Sequence, residues 1–240
     1  MNSIAVAGRL TGRCVPRDAL DAARRRSMFV LLRSHFTGVD RETFETDLAQ
    51  KNWVILLEDD RGVLRGFSTL FVHAAQAANR AVTVVYSGDT IVAREWWGSP
   101  ALPMTWLRAV RGITPAYGSR DVYWLLLTSG FRTYRFLPVF FREFVPRPGR
   151  GGGEGALLET LAAAQFGGRF DPRTGTVRLG RPQILAPELL DVPSGRARDP
   201  HVAFFLERNP GYVRGDELAC LARLADDNLT PAGHRIARAL

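Results

Sequence analysis

Few side chains in this sequence combine a reactive type with a setting that suggests chemistry, and Asp89 leads them. It stands in Tyr86-Ser87-Gly88-Asp89-Thr90, within an otherwise apolar run, where a carboxylate is rarely kept without a partner or a task. Asp89 reads as a general base or a substrate anchor, or else as a local turn or ion-pair residue. Glu95 reads the same way, with solvent exposure beside a loop as its alternative. Trp96, Trp97 and Trp106 offer large apolar area with a polar handle for lining a pocket, although core packing suits Trp106 better. Tyr123 and Trp124 alternate on one apolar run, so at most one of them faces a site. His35, His73, His201 and His234 are scattered, without a nucleophile or metal-ligand motif, and read as surface or satisfied core residues. Cys14 and Cys220 have no metal-like or redox spacing and read as two free thiols, so no metal is expected.

These candidates belong to an ordinary globular chain. The 240 residues, 46% hydrophobic and 23% charged, suffice for a sizeable core and are taken as one domain over 1–240. No run reaches the roughly 20 apolar residues of a membrane span, and residues 1–13 are too short and too broken by Gly and Arg for an export signal. A cytoplasmic protein is expected. The net charge is +8, and Lys51 is the only lysine among 32 basic residues. Such a surface attracts phosphate-bearing cofactors and acidic carrier proteins. Nucleic acid is the last-ranked partner, because charge alone motivates it and Arg24-Arg25-Arg26 reads as a solvated helix face.

Periodicity then supplies the elements. A helix is expected over 18–35 with Asp18 as N-cap, and another over 41–50 with Phe44 and Leu48 four apart. Strands are expected over 52–58 and 63–72, joined by the turn Asp59-Asp60-Arg61-Gly62, and over 80–93 with a bulge or splay at Ser87-Gly88-Asp89. Ser99 and Pro100 start a helix that runs to about Val110, and 121–128 is an interior strand. A helix over 131–144 is expected to kink at Pro138, and 147–155 is a Gly-rich joint. Beyond it come a helix over 156–166, a turn at 171–175 with a short strand, a strand pair over 201–207 and 217–224, and a last helix from Pro231. The fold class is α/β (α+β), a mixed central sheet flanked by helices.

This order resembles the GNAT acyltransferase superfamily over residues 18–147, with 201–224 in the place of its closing hairpin and 151–200 an insertion. The residues that carry the resemblance are Val92-Ala93-Arg94-Glu95-Trp96-Trp97-Gly98-Ser99-Pro100-Ala101, between a strand and a helix, where the family keeps its pyrophosphate loop. Unpaired N–H groups and the positive dipole end at a helix N-terminus suit an anion there. The resemblance implies Arg94, Trp97, Gly98, Ser99 and Ala101 at the donor, with Arg94 and Gly98 as the loop's Arg and Gly. They stand one residue farther apart than in the family pattern, and Pro100 removes a donor, which leaves room for an acyl donor other than acetyl-CoA.

Phe140-Phe141-Arg142-Glu143-Phe144-Val145-Pro146-Arg147 is similar to the ending of the family's fourth helix, with phenylalanine where the family carries a tyrosine that protonates the thiolate. Tyr134 is the substitute the resemblance suggests. Arg132 and Thr133 fall where the family holds the pantetheine arm, and read equally as a solvated helix face. The implied activity is transfer of an acyl group from an acyl-CoA or acyl-carrier-protein thioester to an amine. The long-chain N-acyl amino acid synthase and acyl-homoserine-lactone synthase branches are the nearest in character. The alternative is a GNAT-like module that binds a small molecule or protein without catalysis. The insertion would shape the acceptor site or a homodimer contact.

Overall fold

A computed structural model describes residues 8–77, 79–149, 153–196 and 198–238. Residues 1–7, and 150–152 of the Gly-rich joint, lie outside the described residues. The strands are β1 (Thr11–Pro16), β2 (Phe36–Thr37), β3 (Trp53–Glu58), β4 (Leu64–Ala77), β5 (Arg80–Val92), β6 (Val122–Thr128), β7 (Phe170–Asp171), β8 (Thr176–Val177), β9 (Ile184–Leu185) and β10 (Glu217–Arg223). The helices are α1 (Ala22–Arg33), α2 (Arg41–Ala49), α3 (Ala101–Ile113), α4 (Phe131–Tyr134), α5 (Phe136–Phe140), α6 (Gly155–Phe166), α7 (Pro187–Leu190), α8 (Pro200–Arg208) and α9 (Pro231–Arg238).

Eight strands form one mixed sheet in the order β1-β3-β4-β5-β6-β10-β8-β7, and β2 pairs with β9 outside it. The β1-β3-β4-β5 ladder is antiparallel, β5 and β6 run parallel, and β10 is antiparallel to β6 and β8. Alternation along the strands sends Val84, Tyr86, Tyr123 and Leu125 to one face, under α6, and Val85, Trp124 and Leu126 to the other, under α3. A third group of buried side chains joins Met28 and Leu32 of α1 and Phe44 and Leu48 of α2 to Val54, Leu56 and Phe67. Ser87 fastens α3 to the sheet, because its Oγ accepts from the indole N–H groups of Trp106 (3.2 Å) and Trp124 (2.9 Å). Trp106 is therefore a core residue, as expected.

Several boundaries differ from the sequence reading for local reasons. The N-cap of α1 is Asp21, whose Oδ1 accepts from the Arg24 backbone N–H at 2.6 Å, and Asp18 lies in the short turn before it. Residues 11–16, unread as structure, form the edge strand β1. Its neighbour α3 approaches so closely that a Cβ added at Gly12 would lie 1.8 Å from Thr105 Oγ1 and 2.7 Å from Thr105 Cβ. Gly12→Ala is expected to destabilise the protein by about 1–3 kcal/mol, measured by urea unfolding. The helix after β6 breaks into α4 and α5 and ends at Phe140, so Phe141–Phe144 are not helical. Residues 201–207 are not a strand. They belong to α8, capped by Asp199 accepting from the His201 N–H at 3.0 Å, with Val202 and Phe205 buried one turn apart. The edge partner of β10 is instead β8, through Glu217↔Val177 and Leu218↔Thr176. Both β7 and β8 come from the segment read as an insertion.

Two other expectations have structural counterparts. Arg24 and Arg25 pair with Glu58 and Glu45 on the surface of α1. Cys14 and Cys220 are unpaired thiols on β1 and β10. No described helix is long and apolar enough to cross a membrane, and no cluster of His, Cys, Asp and Glu among the described residues has the makings of a metal site.

Candidate functional site

The parallel pair β5 and β6 stays in register from Thr83↔Val122 to Ser87↔Leu126 and then comes apart. Two residues of β5, Gly88 and Asp89, stand against Thr69 of β4 between the pairs Leu70↔Ser87 and Ser68↔Thr90, which is a bulge at the place the sequence indicated. Beyond it β6 pairs only with β10. The carbonyl of Val92, at the end of β5, is satisfied by the Trp97 indole N–H (2.7 Å) and His35 Nε2 (3.0 Å). A gap thus opens at the C-terminal ends of two parallel strands, the place where sheets with such strands receive ligands.

Comparison with known proteins places the chain among distant neighbours. No protein-family model matches it, and no curated protein does. Among solved structures it is similar to a GNAT family N-acetyltransferase from Escherichia coli, YhbS, solved with CoA: identity 14%, covering 54% of this chain and 68% of that one, TM-score 0.39. It is also similar to a probable N-acyltransferase from Enterococcus faecalis V583 (12%, 91% and 67%, TM-score 0.42). A third is glucosamine-6-phosphate N-acetyltransferase from Arabidopsis thaliana (14%, 48% and 81%, TM-score 0.36).

At the bulge, Asp89 meets a set of charged residues from distant parts of the chain. Its carboxyl is pushed from the ordinary 3.8 to about 7, first by burial and then by the negative charges of Asp47 and Glu217, while Lys51 and the Gln183 side chain favour the ionised form. Glu217, the first residue of β10, is pushed from 4.5 to about 7, chiefly by burial, against a hydrogen bond donated by the Ser129 hydroxyl. Lys51 Nζ donates to Asp47 Oδ1 at 2.6 Å and to Asp47 O at 3.1 Å, and lies 5.4 Å from the Tyr86 ring centroid. Its side chain is 1% exposed. Burial and the surrounding carboxylates raise the Tyr86 hydroxyl well above its usual range.

A Cβ at Gly88 would lie 2.6 Å from Thr69 Oγ1 and 2.7 Å from Lys51 Cε, so only glycine lets these groups close on the bulge. Thr69 Oγ1 is buried and has no hydrogen-bond partner among the described residues. The cluster therefore holds three carboxylates against one ammonium, with an unused hydroxyl beside them.

The remaining sequence candidates fall into two groups. Arg94, Glu95, Trp97 and Gly98 are exposed on the loop after β5, and Ser99 Oγ accepts from the Ala101 N–H at 3.2 Å at the start of α3. Glu95 pairs with Arg65 at 3.5 Å. Arg132 stacks over the rings of Trp97 (5.4 Å) and Phe131 (4.5 Å), which brings α4 to the loop, and Thr133 follows it half-buried. Tyr134 stands apart from the Asp89 cluster. It is fully buried among Phe144, Phe204, Phe205 and His201, donates its hydroxyl to Pro146 O at 2.8 Å, and burial raises its pKa.

Sequence reasoning missed Asp47, Lys51, Ser129, Gln183 and Glu217. One signal was available: a lysine kept alone in an arginine-rich chain. Asp47 comes with Lys51 from one helical turn before it, Gln183 leads into β9, and Ser129 and Glu217 meet Asp89 because β5, β6 and β10 are neighbours.

Proposed function

We propose that the protein is an N-acyltransferase that moves an acyl group from an acyl-CoA or acyl-carrier-protein thioester to an amine. The observation that carries this reading is the carboxylate of Asp89, titrating near neutrality on a bulge where two parallel strands part. A base works best when its pKa lies close to the working pH. The excess of carboxylates draws in an ammonium, which releases one proton to solvent, and ionised Asp89 takes a second proton as the neutral nitrogen attacks the thioester carbonyl. The C–N bond forms, the C–S bond breaks, and the electron pair leaves on sulfur. With the Tyr134 hydroxyl donated to Pro146 O, solvent is the proton source for the departing thiolate.

In this reading the donor phosphates rest on Arg94 and on the backbone from Gly98 through Ser99 to Ala101. Gly98 is open enough that a Cβ there would touch no atom within 4 Å, so its main chain is accessible to an anion, while the Ser99 and Ala101 N–H groups, bonded to Trp96 O and Ser99 Oγ, must turn to reach it. Trp97, Arg132 and Thr133 flank the pantetheine arm, and the +8 net charge favours an acidic carrier. Glu95, held by Arg65, stays at the rim.

One observation favours a second reading, a GNAT-like module that binds without catalysis: the chain's own segment 183–191 crosses the gap. Thermal-shift and mass-spectrometric measurements with coenzyme A, acetyl-CoA, a long-chain acyl-CoA and an acyl-carrier protein separate the two. Stabilisation by a thioester, followed by its consumption with an amine, is the expected result. Binding with no consumption across a panel of amines would favour the module, and no response to any donor would overturn the acyltransferase reading.

A further inference from the structure

The residues assigned to the donor are already in use by the chain itself. The Gln183 side chain lies near enough to Asp89 to favour its ionised form. Leu185 fills the space beside Gly130, where a Cβ would come within 2.9 Å of its Cδ1. The Ala186 N–H donates to His35 O at 2.8 Å. Glu188 Oε1 accepts from Arg94 at 2.5 Å, and Arg132 donates to the carbonyls of Leu189 (2.5 Å) and Asp191 (3.2 Å). One segment of nine residues thus touches the bulge on β5, the loop before α3 and the start of α4, bridging the gap from side to side.

Resting on the acyl-donor reading, we infer that residues 183–191 are a displaceable strap that occupies the donor groove, with the Glu188 carboxylate on Arg94 in the position of a donor phosphate. The fastenings differ in a way that suits displacement. On one side the strap is anchored, since β9 pairs with β2, Arg181 reaches Asp40 at 3.3 Å, and Gln183 O lies 3.0 Å from where a Gly215 Cβ would stand. On the groove side its polar contacts are the bonds that Arg132 donates to the carbonyls of Leu189 and Asp191 and an exposed ion pair, with the Arg94 and Glu188 side chains 40% and 55% exposed. Such a pair is weak and is screened by salt. A phosphate on Arg94 brings more charge and more acceptor oxygens than one carboxylate, and makes the stronger charge-assisted hydrogen bonds. Glu188 is thus an internal competitor, and the groove opens when a polyanionic donor arrives.

The test is calorimetric titration of coenzyme A into the wild-type protein and into Glu188→Gln, with hydrogen exchange of the 183–191 amides followed with and without ligand. Glu188→Gln is expected to bind coenzyme A about two- to fivefold more tightly, from release of a pair of up to ~1 kcal/mol. The strap amides are expected to exchange faster in the variant, and faster in the wild type once coenzyme A is bound. Equal affinities, or strap amides that keep their protection with coenzyme A bound, would overturn the strap while leaving the donor reading standing. No binding by either protein, even with the strap loosened by Glu188→Gln, would overturn the donor reading and the strap's role with it. Binding by the variant alone would support both.

Discussion

Asp89→Asn is expected to lower turnover about 10²- to 10⁴-fold, the usual range for removal of a positioned general base, and to leave the fold intact. The same substitution is expected to make the protein more stable at pH 8. Asp89 carries a pKa of about 7 in the fold against 3.8 as an ordinary carboxyl. The folded state therefore holds this proton after the unfolded chain has released it, and wild-type stability falls as pH rises from about 4 to about 7. Asparagine has no such proton, so the gain, on the order of 4 kcal/mol at pH 8, shrinks toward pH 4. Urea unfolding of both proteins at the two pH values measures it. Lost activity with gained stability marks a carboxylate kept for chemistry; loss of both would mark an architectural one.

Lys51→Met is the second large effect. It removes the one ammonium from a group that includes Asp47, Asp89 and Glu217 and leaves Asp47 without the Nζ that donates to it at 2.6 Å. The Asp47 side chain left behind is 35% exposed and regains water, so the loss is expected at about 1–3 kcal/mol, below the ~3–5 kcal/mol of a fully buried pair. The loss is expected to be largest at pH 8, where Asp89 and Glu217 are ionised, and smaller at pH 5, where both are protonated. Lys51 also favours the ionised form of Asp89, so the variant should need a higher pH to reach its full, reduced activity. Lys51→Arg separates charge from shape. It keeps the cation, so the acid limb of activity stays near the wild-type position. Yet the larger guanidinium must fit where Cε already closes on Gly88, and a stability loss of about 1–3 kcal/mol is expected.

The sheet was readable from the sequence wherever local chemistry and tertiary packing agree. The turn Asp59–Gly62, the bulge at Ser87–Asp89 and the apolar run of β6 each carry their own signal, and each lies where it was expected. The run HVAFFLE does not, since five consecutive apolar residues fit a strand as well as a buried stretch of helix. Asp199-Pro200 just before it was the cap that decides for α8. β1 was illegible because an edge strand with alternating exposure needs no strong apolar pattern. Asp89 could be singled out because a lone carboxylate in an apolar strand is costly. Its partners could not, since Lys51 belongs to the chain just after α2 and Glu217 opens β10, and only the topology joins them. The strap was hidden for the same reason: nothing in Gln183 or Glu188 announces that Asp89 and Arg94 are their neighbours.

The measurement that reaches the central claim most directly is the pH dependence of thiol release from an acyl-CoA in the presence of an amine, from pH 5 to 9, for the wild-type protein and Asp89→Asn. The account predicts a rate that climbs through an apparent pKa near 7 and levels off above it, and a variant that lacks the climb and runs at least a hundredfold slower. Equal rates in the two proteins, or an identical climb in both, would contradict it.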